Sequence, residues 1–176
     1  MKRAITFIAA TLVLAAVVHV ASVWAVPRLI MSVAMKKISG NGAVNAFINP
    51  PLSTAAVRAV VRPSPDLAYS ICILDLSNGP VRIEVPLTAP YTSLALYTTA
   101  TDNYFVRNDR GAEGKTADIL VIAPGAEKPA APAGSEIVEA PTARGLVVVR
   151  RVVESKEAFA GVDAIRKQSA CAPFQG

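Results

Sequence analysis

No Asp, Glu, Lys or Arg occurs between residues 4 and 26, and no other feature limits the chain's possible structures as much. As a helix rising about 1.5 Å per residue, the run extends roughly 34 Å, enough to cross a hydrocarbon core of about 30 Å. Its branched and aromatic side chains, among them Ile5, Phe7, Leu12, Leu14, Val17, Val20 and Val23, favour insertion by a few tenths of a kcal/mol each. They sum to roughly −4 kcal/mol before Thr6, Thr11, His19 and Ser22 subtract. Trp24 lies near the far end, where an indole suits the lipid–water boundary, and Arg28 follows Pro27 within reach of headgroups. The sequence therefore predicts a membrane-spanning anchor.

A cleaved signal peptide is the rival reading, because Val23-Trp24-Ala25 suits cleavage after Ala25. The apolar run, however, exceeds the usual signal core of about 7–15 residues. No Cys lies near its end, which disfavours a lipoprotein. Lys2 and Arg3 stand on one side of the run and Arg28, Lys36 and Lys37 on the other, so the charge rule for orientation is nearly balanced. A short basic tail before an apolar run resembles an export signal. We therefore expect the N-terminus inside and the rest of the chain in the periplasm of a bacterial inner membrane.

The whole chain has 176 residues, 52% of them hydrophobic, and a formal net charge of +5. Lys2 and Arg3 account for part of that charge, and no basic stripe interleaves with aromatics, so no nucleic-acid partner is expected. Residues 28–39 are broadly compatible with an amphipathic helix at the membrane surface, with Lys36 and Lys37 at headgroup level. Gly40-Asn41-Gly42 ends it.

Beyond Asn49-Pro50-Pro51 and Arg62-Pro63-Ser64-Pro65, both extended or turn segments, strand signals follow one another. Residues 69–74 are apolar at nearly every position, as in a strand covered on both faces. Val81, Ile83 and Val85 alternate with Arg82 and Glu84 after the turn Ser77-Asn78-Gly79-Pro80. Residues 92–98, 104–106, 119–122 and 146–149 complete the set. The Pro/Ala/Gly/Glu-rich stretch at about 124–142 is expected as a surface loop, and Ser155 to cap a helix reaching about residue 170. The expected fold is mainly β, an antiparallel β-sandwich or jelly-roll-like domain with a transmembrane helix before it and a helix after it. The expected divisions are an anchor (1–27), a juxtamembrane helix and linker (28–58) and the β-rich domain (59–176).

The segments Arg62-Pro63-Ser64-Pro65-Asp66, Tyr69-Ser70, Leu74-Asp75-Leu76-Ser77-Asn78-Gly79-Pro80 and Tyr91-Thr92-Ser93 together resemble bacterial domain-of-unknown-function family 1254. The His19 to Arg28 region is similar to its short, membrane-anchored subgroup. The resemblance covers roughly residues 60–152 and implies a β-sandwich-like fold and residence in the cell envelope. It further implies a companion β domain of family 1214, because the two are often paired on one chain or as neighbours. It carries no reaction, so no catalytic residue follows from it.

The single histidine, His19, lies inside the predicted membrane helix. That excludes a Ser-His-Asp triad or a multi-histidine metal site in the domain of one chain. His19 itself reads as a packing residue. Cys72 and Cys171 are the only cysteines, and in an exported domain they suggest a disulfide closing a loop of about 100 residues. The alternative is a buried thiol at Cys72 and a mobile one near the C-terminus.

Asp102-Asn103 and Asn108-Asp109 could gather a hard cation, but their spacing fits turns better, and neither metal nor cofactor is expected. Asp66 and Asp75 likewise read as turn formers. Either Arg150 or Arg151 must point inward, because a strand alternates faces, and the inward one then needs a partner such as Asp66 or Asp75. Arg62 is a further candidate for such a pair or for an anionic ligand. Two functions stand against each other at this point. The first is a non-enzymatic envelope module acting by contact with a companion protein. The second is an enzyme or small-ligand binder whose site forms around Tyr69, Asp75, Arg110 and Arg150.

Overall fold

The computed structural model describes residues 2–40, 42–54, 63–110 and 115–175. Arg62 and Gly111 lie outside the described residues. The chain begins with one continuous helix, α1 (Lys2–Ser39), in which Pro27 is an interior residue. Proline cannot donate a helix hydrogen bond. One turn away, the Arg28 guanidinium donates to the Trp24 carbonyl at 2.6 Å. The segments expected as anchor and as juxtamembrane helix thus form a single rod, about 57 Å long at the standard rise. It ends where Gly40 (φ 49°) and Gly42 (φ 85°) take left-handed conformations and the Gly42 N–H bonds the Ser39 carbonyl at 3.0 Å.

Nine strands follow among the described residues: β1 (Phe47–Ile48), β2 (Leu67–Asp75), β3 (Val81–Pro86), β4 (Thr92–Thr98), β5 (Asn103–Asn108), β6 (Thr116–Ile122), β7 (Glu136–Glu139), β8 (Arg144–Val152) and β9 (Ala170–Pro173). Helix α2 (Phe159–Arg166) lies between the last two. One sheet runs β1-β2-β8-β4-β5 and the other β7-β6-β3-β9. The pairs are antiparallel except β6–β7.

The two sheets close on one apolar core. Cys72, Leu74, Leu94, Leu96, Val147 and Val149 from the first meet Val81, Ile83, Val85, Ile119 and Val121 from the second. Period-two alternation puts these side chains on the inner face. The outer face of the first sheet is apolar too, at Ile71, Ile73, Leu146 and Val148, and the last turns of α1 cover it through Met31 and Met35. That cover explains why β2 is apolar at nearly every position. β8 is also squeezed from the side: a Cβ on Gly145 would come within 2.5 Å of the Tyr97 carbonyl oxygen, so only glycine fits there without the strands moving apart.

The structure corrects the expectations in several places. Phe47 and Ile48, within the segment 28–58 read as helix and linker, form a strand paired with β2. The stretch 124–142 read as loop contains β7, which adds parallel to β6. Its Ile137 and Val138 are only two apolar residues between charged neighbours, too short a signal to register as a strand. The C-terminal helix is shorter than expected, ending at Arg166, and β9 begins at Ala170, where the helix was expected to end. The Ser155 Oγ accepts the Ala158 N–H at 3.3 Å, and the helix itself starts after Ala158 without a side-chain cap.

Candidate functional site: the crevice between helix and sheet

The docking of α1 on the sheet leaves a crevice of about 290 Å³ along one side of the contact. Three cations line it: Arg28 and Lys36 from α1, and Arg144 from the start of β8. Ser32, Ser39 and Thr99 add hydroxyls, Met35, Val44 and Ile73 form an apolar floor, and among the described residues no carboxylate lines the crevice.

Each cation is placed by its element. Arg28 lies over the Trp24 ring, 4.4 Å from its centroid, and its bond to the Trp24 carbonyl uses one of five guanidinium donors. Arg144 Nε is 3.2 Å from Asp75 Oδ2 at the end of the neighbouring strand β2. Asp75 also accepts the Ser77 hydroxyl at 2.5 Å and its N–H at 3.1 Å. Those two bonds hold its carboxyl below the usual carboxylate range, with Arg144 adding to the effect. Ser32 and Ser39 donate to the carbonyls of Leu29 and Lys36 within the helix, so their oxygens still face the crevice as acceptors. Chemically, the lining can attract and hold an anion.

A second polar group lies inside the sandwich. Arg151 is 2% exposed, and its Nη2 donates to the Pro86 carbonyl at 3.2 Å and to Ser169 Oγ at 3.0 Å. Its Nε and Nη1 have no hydrogen-bond partner among the described residues. Burial pulls its pKa down to about 10, and the charge of Arg166 adds to the shift. Arg166, itself buried, is satisfied: it bonds Asp163 at 2.6 Å, the Pro50 carbonyl at 2.7 Å and the Tyr69 carbonyl at 3.0 Å. It thereby ties α2 and the chain before β2 to the sheet.

The residues singled out in the sequence separate in space. Tyr69 and Arg150 are cross-strand neighbours, and Arg150 Nη2 donates to the Tyr97 hydroxyl at 3.2 Å. Asp75 lies six residues further along β2, about 20 Å away at the usual strand rise. Arg110 is exposed in the turn after β5, where its N–H bonds Asn108 Oδ1. No pocket gathers these four among the described residues. The inward arginine is Arg151, but neither Asp66 nor Asp75 pairs with it, which corrects that expectation. Asp75 pairs instead with Arg144, and the N–H of Asp66 bonds Ser64 Oγ at 3.4 Å in a turn. Asp102 and Asn108 serve turns through Thr98 and Arg110. Among the described residues no three metal-ligating side chains converge.

The family motif spreads over local structure. Pro63 and Pro65 precede β2, Ser70 is buried within it, and Leu76, Ser77, Gly79 and Pro80 make the β2–β3 connection. Cys72 and Cys171 are bonded to each other, their Cα atoms 6.6 Å apart and 99 positions apart in sequence. The bond joins β2 of one sheet to β9 of the other. Arg144 escaped the sequence reading because its partner Asp75 is far away in the chain, and Arg166 because, apart from nearby Asp163, its partners Pro50 and Tyr69 are distant. Arg28, Ser32 and Lys36 left one signal, their spacing of four on a helix.

The family described as "Protein of unknown function (DUF1254)" matches residues 44–173. No relative is found among curated proteins. Among solved structures, the VPA0106 protein from Vibrio parahaemolyticus is similar, with a TM-score of 0.66 and 16% identity over 88% of this chain and 37% of that one. An uncharacterised protein from Burkholderia cenocepacia gives a TM-score of 0.46 and 18% identity, over 74% of this chain and 36% of that one. The chain thus spans little more than a third of these proteins, and at such identity the Vibrio likeness is one of fold. With the sandwich, the motif positions and a match over most of its length in hand, the chain belongs to the DUF1254 family.

Proposed function

We propose that the chain is a single-pass protein of a bacterial inner membrane, whose β-sandwich stands in the periplasm as a docking module rather than an enzyme. The observation that carries this is the joint between helix and domain. The apolar run of α1, exposed along its length, continues without a break into Met31 and Met35, which pack on the first sheet. A module held so closely to the end of its anchor is oriented at the membrane surface, not swung on a tether. The bond between Cys72 and Cys171 supports an oxidising compartment. Alkaline carbonate washing should leave the full chain in the membrane pellet, and a phosphatase fused at the C-terminus should be active. Release into the supernatant, or a silent fusion, would overturn the reading.

The proposed partner is a companion β domain of the kind often paired with this family. It would meet the free edge of β5, the terminal strand of its sheet. Tyr104 and Phe105 pack on the core there while Val106 is 52% exposed, and an edge that no described strand pairs is a template for adding one. A photo-crosslinking residue at Val106 should capture a β-domain protein in intact membranes. Capture that is equally efficient from Lys115, away from the edge, would sink this assignment.

A further inference from the structure

We propose that the crevice between α1 and the sheet binds the phosphate headgroup of an anionic membrane lipid, whose acyl chain lies on the adjoining apolar face of α1. The inference rests on the reading of α1 as a membrane helix.

Charge selects the ligand class. Arg144 is balanced by Asp75, which leaves Arg28 and Lys36 as the net positive charge of a lining without carboxylates. The remaining Arg28 donors and the Lys36 ammonium, about 12 Å apart along the helix at the standard rise, both draw a phosphate into the crevice. A zwitterionic headgroup brings its own cation against three others, so the lining discriminates against it.

Position selects a lipid over a soluble anion. Val20, Trp24, Arg28, Ser32 and Lys36 are each four residues apart and so form one ridge that winds around the helix by about 40° at each step. The upper members, Arg28, Ser32 and Lys36, line the crevice. The lower ones, Val20 and Trp24, line a shallow apolar groove that Ala16 and Ala21 keep open with small side chains. A molecule with a chain in the groove and an anion in the crevice satisfies both, whereas free phosphate uses only one. The heights also agree. Arg28 stands two residues, about 3 Å, beyond the apolar run, and the polar layer of a bilayer is about 5–7 Å deep on each side. A phosphate between Arg28 and Ser32 therefore sits at headgroup level. Met35 and Ile73 are packed against each other in the helix–sheet joint, so the floor of the site is in place before the lipid arrives.

Trp24 is the only tryptophan and lies beneath Arg28, so its emission reports on the site. Titrating the full chain in maltoside micelles with dioctanoyl phosphatidylglycerol should give a saturable emission change. Native mass spectra should retain that lipid. Dioctanoyl phosphatidylcholine, glycerol phosphate and inorganic phosphate should bind more weakly. Lys36→Gln should weaken phosphatidylglycerol binding about fivefold, the effect of losing one basic contact near a membrane surface. Lys37→Gln, outside the crevice, should leave it unchanged. Equal affinity for the two lipids, equal losses in the two variants, or no lipid retained would overturn the proposal. Saturation by glycerol phosphate at the same affinity would also overturn it, by making the site one for a soluble anion. The micelle titration does not depend on bilayer insertion, which carbonate washing reads separately, so the two readings can fail independently.

Discussion

A guanidinium carries five N–H donors, and inside the sandwich Arg151 places only Nη2 on acceptors among the described residues. Burying a charge this way opposes folding, and exchange of such a group for an apolar side chain of similar length is often neutral or stabilising. Arg151→Met is therefore expected to leave stability unchanged or raise it by up to about 2 kcal/mol, read from urea unfolding. A loss of similar size would mean that Pro86 and Ser169 depend on the donor more than its burial costs. Arg82 and Asp118 show the opposite case. They meet diagonally between β3 and β6 through two bonds of 3.0 and 2.6 Å, and Arg82 holds the Asp118 carboxyl below its ordinary value of 3.8. A carboxyl lowered in the folded state adds stability above pH 3.8, and that contribution disappears as pH falls below this value through the folded-state pKa. Asp118→Asn should thus cost about 1 kcal/mol near neutrality, and the gap from the unaltered protein should close in acid.

Among the elements, strands were legible wherever alternation or a doubly apolar run spoke for itself, as in β2, β3, β4, β6 and β8. β1, β7 and β9 were not, for a shared reason. Each is four residues or shorter and exists because a neighbouring strand offers a ladder. In β9 only Cys171 is buried, so the strand depends on its pairing with β3 and on the bond to Cys72. Cys171→Ser should destabilise the domain by about 2–4 kcal/mol in chemical unfolding. It should also speed amide exchange in β9 and α2 before the central strands respond. An unchanged exchange pattern would mean that the β3 ladder alone suffices. Gly145 tests packing within one sheet. Gly145→Ala puts a methyl group into the Tyr97 carbonyl, and a cost of about 1–3 kcal/mol follows from forcing β8 and β4 apart.

At the scale of the whole molecule, the sequence announced the apolar helix and the sandwich but not the joint between them. The joint needs Met31 and Met35 to meet Ile73, Leu146 and Val148, and no local pattern connects residues so far apart. The crevice was half legible for the same reason: Arg28 and Lys36 read as headgroup-level cations, while Arg144 enters only through the fold. The joint also bears on the retained anchor and the cleaved signal. Cleavage after Ala25 would remove the apolar run and leave Met31 and Met35 in place, so the outer sheet face would stay covered. A chain starting at residue 26 still exposes Leu29, Ile30 and Val33 but should self-associate less, by light scattering after size exclusion, than one that has also lost the helix. A chain starting at residue 43 loses the cover and exposes Ile71, Ile73, Leu146 and Val148 together, an apolar patch of the sort that drives association. It should self-associate and bind an apolar dye while its disulfide stays intact. If both forms are equally monomeric, the helix does not act as the sheet's cover, and the fixed orientation of the module at the membrane loses its physical basis.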